Sequence, residues 1–220
     1  MCIRDSYNRI MLSNILQKKM SVDETIMNPY SWYEENNITL ITGERATGVN
    51  REKQLVMTEK GKEIPYDVCI FATGSNAFVL PLPGHDLPSV IGWRTIEDTE
   101  RMIEIAQTKK EAIVIGGGLL GLECARGLLD QGMNVTVVHL ADWLMEMQLD
   151  RQAGEMLRED LERQGMRFEL GANTKEILGE TDVEGIRLAD GKELPADLVV
   201  MAVGLSLIHI SEPTRQAEIS

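Results

Sequence analysis

The chain has 220 residues, with 22 Lys and Arg against 35 Asp and Glu, a formal net charge of −13. So acidic a surface argues against a nucleic-acid partner and against binding to anionic membranes, and is compatible with a soluble enzyme. No run reaches transmembrane length, and Met1 to Ser6 is not a signal peptide.

Met1-Cys2-Ile3-Arg4-Asp5-Ser6 can be encoded by ATG TGT ATA AGA GAC AG. The reverse complement of that string encodes Leu-Ser-Leu-Ile-His-Ile, which is Leu205 to Ile210. Two ends of one protein readable from opposite strands of one DNA word look like a translated transposon end from library preparation, with Ser211 to Ser220 as its adapter continuation. Residues 1–6 and 205–220 are therefore expected to be adapter-derived tails and are set aside. Tyr7 to Gly204 is expected to be the natural part, open at both ends. Dropping Arg4 and Arg215 against Asp5, Glu212 and Glu218 hardly changes the charge.

Tyr7 to Lys18 reads as a loop and short helix, and Asn28-Pro29 opens a helix through Trp32 and Tyr33 to Asn36-Asn37. Ile38 to Ile41 is expected as a strand. Ala46 to Val49 should pair with Leu55 to Thr58 around the turn Asn50 to Lys53. Gly61-Lys62-Glu63-Ile64-Pro65-Tyr66-Asp67 then leads into an apolar strand, Val68 to Phe71, that ends at Ala72-Thr73-Gly74.

The stretch from Glu111 to Leu140 carries the sharpest pattern. Ala112 to Ile115 is a short β-branched run, long enough for a buried parallel strand and too short for a helix. Gly116-Gly117-Gly118-Leu119-Leu120-Gly121 follows and fits G-x-G-x-x-G. Its glycines would supply a tight turn, a close backbone approach to a pyrophosphate and close packing of helix on strand. The helix should run from about Leu119 to Gln131, with Leu122, Ala125, Leu128 and Leu129 inward and Gly132 as its stop; its amides would receive the pyrophosphate. Val135 to Val138 closes a βαβ unit. A strand, a helix and a second strand around the glycines make dinucleotide binding far better supported than an ordinary turn. Where an acid usually reads the ribose, the sequence has His139, with Asp142 nearby and no Arg placed for a 2′-phosphate, so NAD and NADP stay open. Trp143, Met145 and Met147 read as packing.

Leu157 to Gln164 is expected as a helix, Met166 to Leu170 as a strand, and Thr174 to Leu178 as the partner of Val183 to Leu188. Gly191-Lys192-Glu193-Leu194-Pro195-Ala196-Asp197, Leu198 to Met201 and Ala202-Val203-Gly204 close the series. Gly61 to Gly74 thus repeats as Gly191 to Gly204, with a hairpin before each copy. The fold expected is α/β, with tandem Rossmann-like domains of which the first is incomplete. Residues 7–84 would form a partial FAD-binding domain and 85–204 an NAD(P)-binding domain, the βαβ start of the first copy lying upstream of Tyr7. Cys69 and Cys124, in a predicted strand and helix without a C-x-x-C, read as buried thiols in a reducing cytoplasm, and no metal-ligand set is present.

Two dinucleotide domains in tandem, one with Ala72-Thr73-Gly74-Ser75 and one with the glycine motif and Glu123, resemble the two-dinucleotide-binding flavoprotein reductases of the pyridine nucleotide-disulfide oxidoreductase superfamily. Tyr7-Asn8-Arg9 with Leu12-Ser13, Pro83 to Pro88, Arg94-Thr95 with Asp98, and Val137 to Leu140 resemble the flavoprotein part of the NAD(P)H nitrite reductase large subunit. The resemblance implies that Arg9, Ala72, Thr73, Gly74 and Arg94 help hold FAD. It places NAD(P)H on Gly116, Gly117, Gly118, Leu119, Leu120 and Gly121, with His139 at the strand end, and Glu123 near nicotinamide and flavin as the catalytic group. In related reductases that glutamate pairs with a lysine just after the Leu-Ser pair; here Asn14 stands there. The activity implied is hydride transfer from NAD(P)H to flavin and onward electron transfer to a downstream acceptor. Sirohaem and an iron–sulfur cluster would belong to parts outside this chain. A stand-alone NADH:rubredoxin or ferredoxin reductase and a non-catalytic NAD(H)-sensing module are the alternatives.

Overall fold

The computed structural model describes residues 6–206. The adapter reading of residues 1–5 and 207–220 falls outside them. The described chain divides into two compact units, one of residues 6–8 and 26–74, the other of residues 9–25 and 75–206.

Helix α1 (Leu12–Leu16) belongs to the larger unit and follows a short 3-10 turn, Arg9–Met11. The smaller unit holds helix α2 (Tyr30–Glu35), which starts after Pro29, and the antiparallel strands β1 (Ala46–Asn50), β2 (Leu55–Thr58) and β3 (Glu63–Pro65) in that order. Thr58 and Lys62 anchor the nearly buried carboxylate of Glu44, with Lys62 Nζ at 2.6 Å. The hairpin expected from the turn residues is present. The strands expected at Ile38 to Ile41 and Val68 to Phe71 are not: both segments are irregular. Neither finds a neighbour to pair with, and Val68, Ile70 and Phe71 stand 80%, 85% and 52% exposed. Cys69 lies in this irregular segment and is half-buried, not buried in a strand.

The larger unit continues with β4 (Asn76–Ala77), β5 (Val90–Gly92), α3 (Ile96–Thr108), β6 (Glu111–Ile115), α4 (Leu119–Asp130), β7 (Asn134–His139), α5 (Arg151–Arg163) and β8 (Arg167–Leu170). The antiparallel β9 (Thr174–Leu178), β10 (Gly185–Leu188) and β11 (Glu193–Pro195) follow, then β12 (Leu198–Met201) and β13 (Leu205–Ser206). Five strands form one parallel sheet in the order β5-β12-β6-β7-β8. Side chains alternate across it. Ile113, Ile115, Val138, Val199 and Met201 meet Ile177, Val183, Ile186 and Leu188 of the antiparallel layer. Helices α3 and α4 cover the opposite face, where Met102, Cys124, Ala125 and Leu128 are buried. Parallel strands covered on both faces read as near-continuous apolar runs, as Ala112 to Ile115 of β6 and Leu198 to Met201 of β12 do, while β7 is broken by Thr136.

Helix α4 buries more than the face expected of it. Leu122 and Leu129 are only half-buried, whereas Cys124 and Gly127 are buried, because α1 covers a second side of the helix. A Cβ on Gly127 would lie 2.5 Å from Leu16 Cγ, and Gln131 Nε2 donates to the Leu16 carbonyl. Helix α5 begins six residues before the expected Leu157, at an Asp150 cap that accepts the Ala153 amide at 2.8 Å. Strand β13 pairs with β4. A two-residue ladder is made by main-chain groups, so it carries no signature of the residues in it.

Candidate functional site

The site is built where β6 ends and α4 begins. Ile115 delivers Gly116 in a left-handed conformation, φ 118°, and a Cβ there would stand 2.4 Å from the Ala202 carbonyl oxygen. A Cβ on Gly121 would stand 1.9 Å from the Gly116 carbonyl oxygen, so helix and turn touch through bare backbone. These two glycines serve the fold. Gly118 is different: its φ is −83°, and a Cβ there would meet nothing within 4 Å. It caps α4 without a side-chain bond, leaving the first-turn amides of Leu119, Leu120 and Gly121 at the positive end of a 12-residue helix.

A cavity of about 430 Å³ opens beside this turn, lined by Gly116, Gly117, Gly118, His139, Glu146 and Thr174 among others. Thr174 is 6% exposed, and its Oγ1 is buried without a hydrogen-bond partner among the described residues. Buried hydroxyls are ordinarily bonded, so one at a cavity wall is suited to a ligand. His139 uses both ring nitrogens within the protein. Nδ1 accepts the Gly117 amide at 3.0 Å and Nε2 faces Glu146 Oε2 at 2.8 Å.

A second cavity, about 350 Å³, shares Leu119 with the first and is lined by Arg9, Leu12, Ser13, Trp93, Arg94 and Glu123 among others. Trp93 is buried and donates Nε1–H to Thr99 Oγ1 at 2.9 Å. Arg94 donates Nε–H to the Ser75 carbonyl at 3.1 Å and bonds Ser75 Oγ through Nη2. Burial raises the Glu123 carboxyl above its ordinary value, and among the described residues no cation pairs with it. Asn14, just after the Leu12-Ser13 pair, donates to Met11 Sδ.

The chain matches the family model described as pyridine nucleotide-disulphide oxidoreductase over residues 4–212. It belongs to that family. It is 51% identical over 200 residues to the nitrite reductase [NAD(P)H] of Bacillus subtilis, covering 91% of this chain and 25% of that one. It is 44% identical over 200 residues to the assimilatory nitrate reductase electron transfer subunit of the same organism, covering 91% and 26%. Among solved structures, the ferredoxin reductase for the CYP199A2 system of Rhodopseudomonas palustris superposes with a TM-score of 0.84 at 31% identity, over 90% of this chain and 50% of that one. The chain thus spans about a quarter of the length of these curated relatives.

In this pyridine nucleotide-disulphide oxidoreductase the larger unit brings most of the sequence-derived residues to two neighbouring cavities. Gly116, Gly117, Gly118, Leu119 and His139 line the first, and Arg9, Arg94, Leu119, Leu120 and Glu123 the second. Gly121 lies under the turn. Ala72, Thr73 and Gly74 belong to the smaller unit, where they are exposed and irregular. Cys124 is fully buried against Met102, with its thiol pushed up by burial, as a core residue would be. Sequence reasoning missed Thr174 and Glu146. Ala202-Val203-Gly204 was legible as the repeat of Ala72-Thr73-Gly74; Thr174 and Glu146 carry no spacing signal. Of the residues read as packing, Trp143 does pack, against Gly154, while Met147 is 82% exposed at the cavity. Among the described residues no helix is long and apolar enough to cross a membrane, and no group of three or more His, Cys, Asp and Glu could hold a metal ion.

Proposed function

We propose that the chain is part of the electron-input module of a flavoprotein, a module that takes NAD(P)H at the glycine turn, passes a hydride to FAD, and feeds a downstream acceptor. The relatives' names support an assimilatory nitrite reductase as the setting, and the acceptor assigned to it is a sirohaem and iron–sulfur centre outside this chain. Residues 7–84 are assigned to the FAD-binding half and 85–204 to the NAD(P)-binding half. The protein would work in the cytoplasm.

The observation that carries this reading is Gly118. Every atom within 4 Å of its missing side chain is absent, so nothing in the protein asks for glycine there. A cofactor does: a pyrophosphate set against the amides of Leu119, Leu120 and Gly121 needs the space a side chain would fill. The orphan Thr174 hydroxyl, on the same cavity, gives the nucleotide a second polar contact.

When bound, the flavin supplies hydride acceptance and onward electron transfer, and the protein supplies placement and electrostatics. Ala72, Thr73 and Gly74, with Arg9 and Arg94, are assigned to FAD; Arg9 offers a guanidinium for a phosphate, and Arg94 is braced on Ser75. Glu123, one turn into α4 and in an apolar-walled cavity, holds its proton more readily than a surface glutamate and can donate or accept at the nicotinamide end. Leu119, the first residue of α4, lines both cavities and on this reading would stand between nucleotide and flavin.

Gly118→Ser tests the reading. Serine is a better helix cap than glycine, so the melting temperature should hold or rise. Calorimetric titration with NADH and NADPH should nevertheless show affinity reduced tenfold or more. An unchanged affinity would mean that the turn does not hold a dinucleotide.

A further inference from the structure

His139 ends β7 at the place where a dinucleotide fold usually presents an acid to the adenosine ribose. It cannot act there directly. The Gly117 amide can only donate, so Nδ1 must be its acceptor and the ring proton sits on Nε2, pointing at Glu146. What His139 does instead is hold a carboxylate at the cavity. Glu146 Oε2 takes the imidazole proton bond, and Oε1 has no partner among the described residues, on a side chain 32% exposed.

The loop that carries Glu146 is built to keep it there. Met145 has φ 57°, a left-handed conformation that a residue with a side chain adopts at a cost. Its amide donates to the Gly117 carbonyl at 3.1 Å, and its carbonyl accepts from Gln148 and Leu149 at 2.8 Å each. Gly117 therefore touches both ends of the arrangement, giving its N–H to His139 and its carbonyl to Met145. The strained residue immediately precedes Glu146, and the bonds its amide and carbonyl make fix where that carboxylate stands.

We propose that Glu146 is the ribose-reading residue of this chain, with His139 as its positioning residue: the acid normally found at the strand end reaches the cavity from the following loop. Its free oxygen accepts a ribose hydroxyl. A 2′-phosphate in the same place would meet a carboxylate, and among the described residues no Lys or Arg lines the cavity to offset it. The chain should therefore select NADH over NADPH. This rests on the dinucleotide site proposed above.

The test is calorimetric titration of the 220-residue chain with NADH and with NADPH, alongside melting curves. The wild type should favour NADH by about tenfold or more, the discrimination expected of one bond to a charged acceptor. Glu146→Gln should keep the melting temperature and cut that ratio about tenfold, weakening NADH and improving NADPH. His139→Gln can still accept from Gly117 and donate to Glu146, so it should retain the preference; His139→Ala should lose it. Both nucleotides binding with a ratio that Glu146→Gln leaves untouched would overturn the assignment of Glu146 while sparing the site. A wild type that binds both equally, or prefers NADPH, overturns it too. A wild type that binds neither removes the dinucleotide site and this assignment with it.

Discussion

Asp197 and Glu111 hold one another by two hydrogen bonds: the Asp197 amide donates to the Glu111 carbonyl at 2.7 Å, and the Glu111 amide donates back to Asp197 Oδ2 at 2.9 Å. The same oxygen accepts the Lys110 amide at 3.0 Å, so one carboxylate pins the start of β6 to the strand beside it. Desolvation pushes the Asp197 carboxyl up, but the Glu111 and Lys110 amides and the nearby Lys109 outweigh it, and the net shift is downward. Its stabilising contribution is therefore present above the ordinary value of 3.8 and is lost as pH falls through the lower folded value.

Asp197→Ala should cost about 2 kcal/mol at neutral pH, the range for hydrogen bonds to a charged group. The deficit should shrink in acid. Asp67 stands at the matching place in the repeat, yet it is exposed and holds no strand. Asp67→Ala should stay within about 0.5 kcal/mol. Urea unfolding followed by tryptophan fluorescence at neutral and acid pH reads both; equal costs for the two variants would mean that the clamp contributes nothing.

The same contrast shows what was legible. Val68 to Phe71 and Leu198 to Met201 follow the same Gly-Lys-Glu-x-Pro-x-Asp lead-in, and both read as buried strands. Only β12 became one, because β5 and β6 flank it. Periodicity reports what a segment can bury, and pairing depends on a neighbour that a local pattern does not contain. The βαβ unit was legible because strand, glycine turn and helix constrain one another within one short stretch. Helix α3 was not read, although Thr95 accepts the Asp98 amide and Asp98 Oδ2 the Thr95 amide, a capping box visible in the residues. Glu146 was invisible for a different reason: its place depends on the left-handed turn at Met145, which no residue type announces.

Glu123 gives a pH dependence of the opposite sign to that of Asp197. Its folded-state affinity for a proton is raised by burial, so it adds nothing to instability below its ordinary value of 4.5, where both states are protonated. As pH rises through the raised folded value, the charged form is penalised only in the folded chain, and stability falls. Glu123→Gln should thus melt higher than the wild type at neutral pH and alongside it in acid. A variant that melts lower than the wild type at neutral pH would show that the carboxylate is held by a partner.

Ile70 and Phe71 correspond in the repeat to Val200 and Met201, which are 0% and 1% exposed on β12, between β5 and β6 of the parallel sheet. In the smaller unit the described strands are all antiparallel, and Ala72, Thr73 and Gly74 lead to no glycine turn or helix of the kind that follows β6. The amides that would hold the FAD pyrophosphate are thus not among the described residues, while Val68, Ile70 and Phe71 remain open to solvent. Exposed apolar segments of strand-forming residues favour self-association. The 220-residue chain purified as such should therefore bind NAD(P)H weakly, retain no flavin on desalting, oxidise no NAD(P)H and associate as its concentration rises. Replacing Ile70 with Lys should reduce that association and leave nucleotide binding by the larger unit unchanged. A visible spectrum after desalting, with light scattering across concentrations, reads both halves. A stoichiometric flavin band would show that the smaller unit holds FAD without a pyrophosphate turn of its own, and would overturn the two-copy account of the fold.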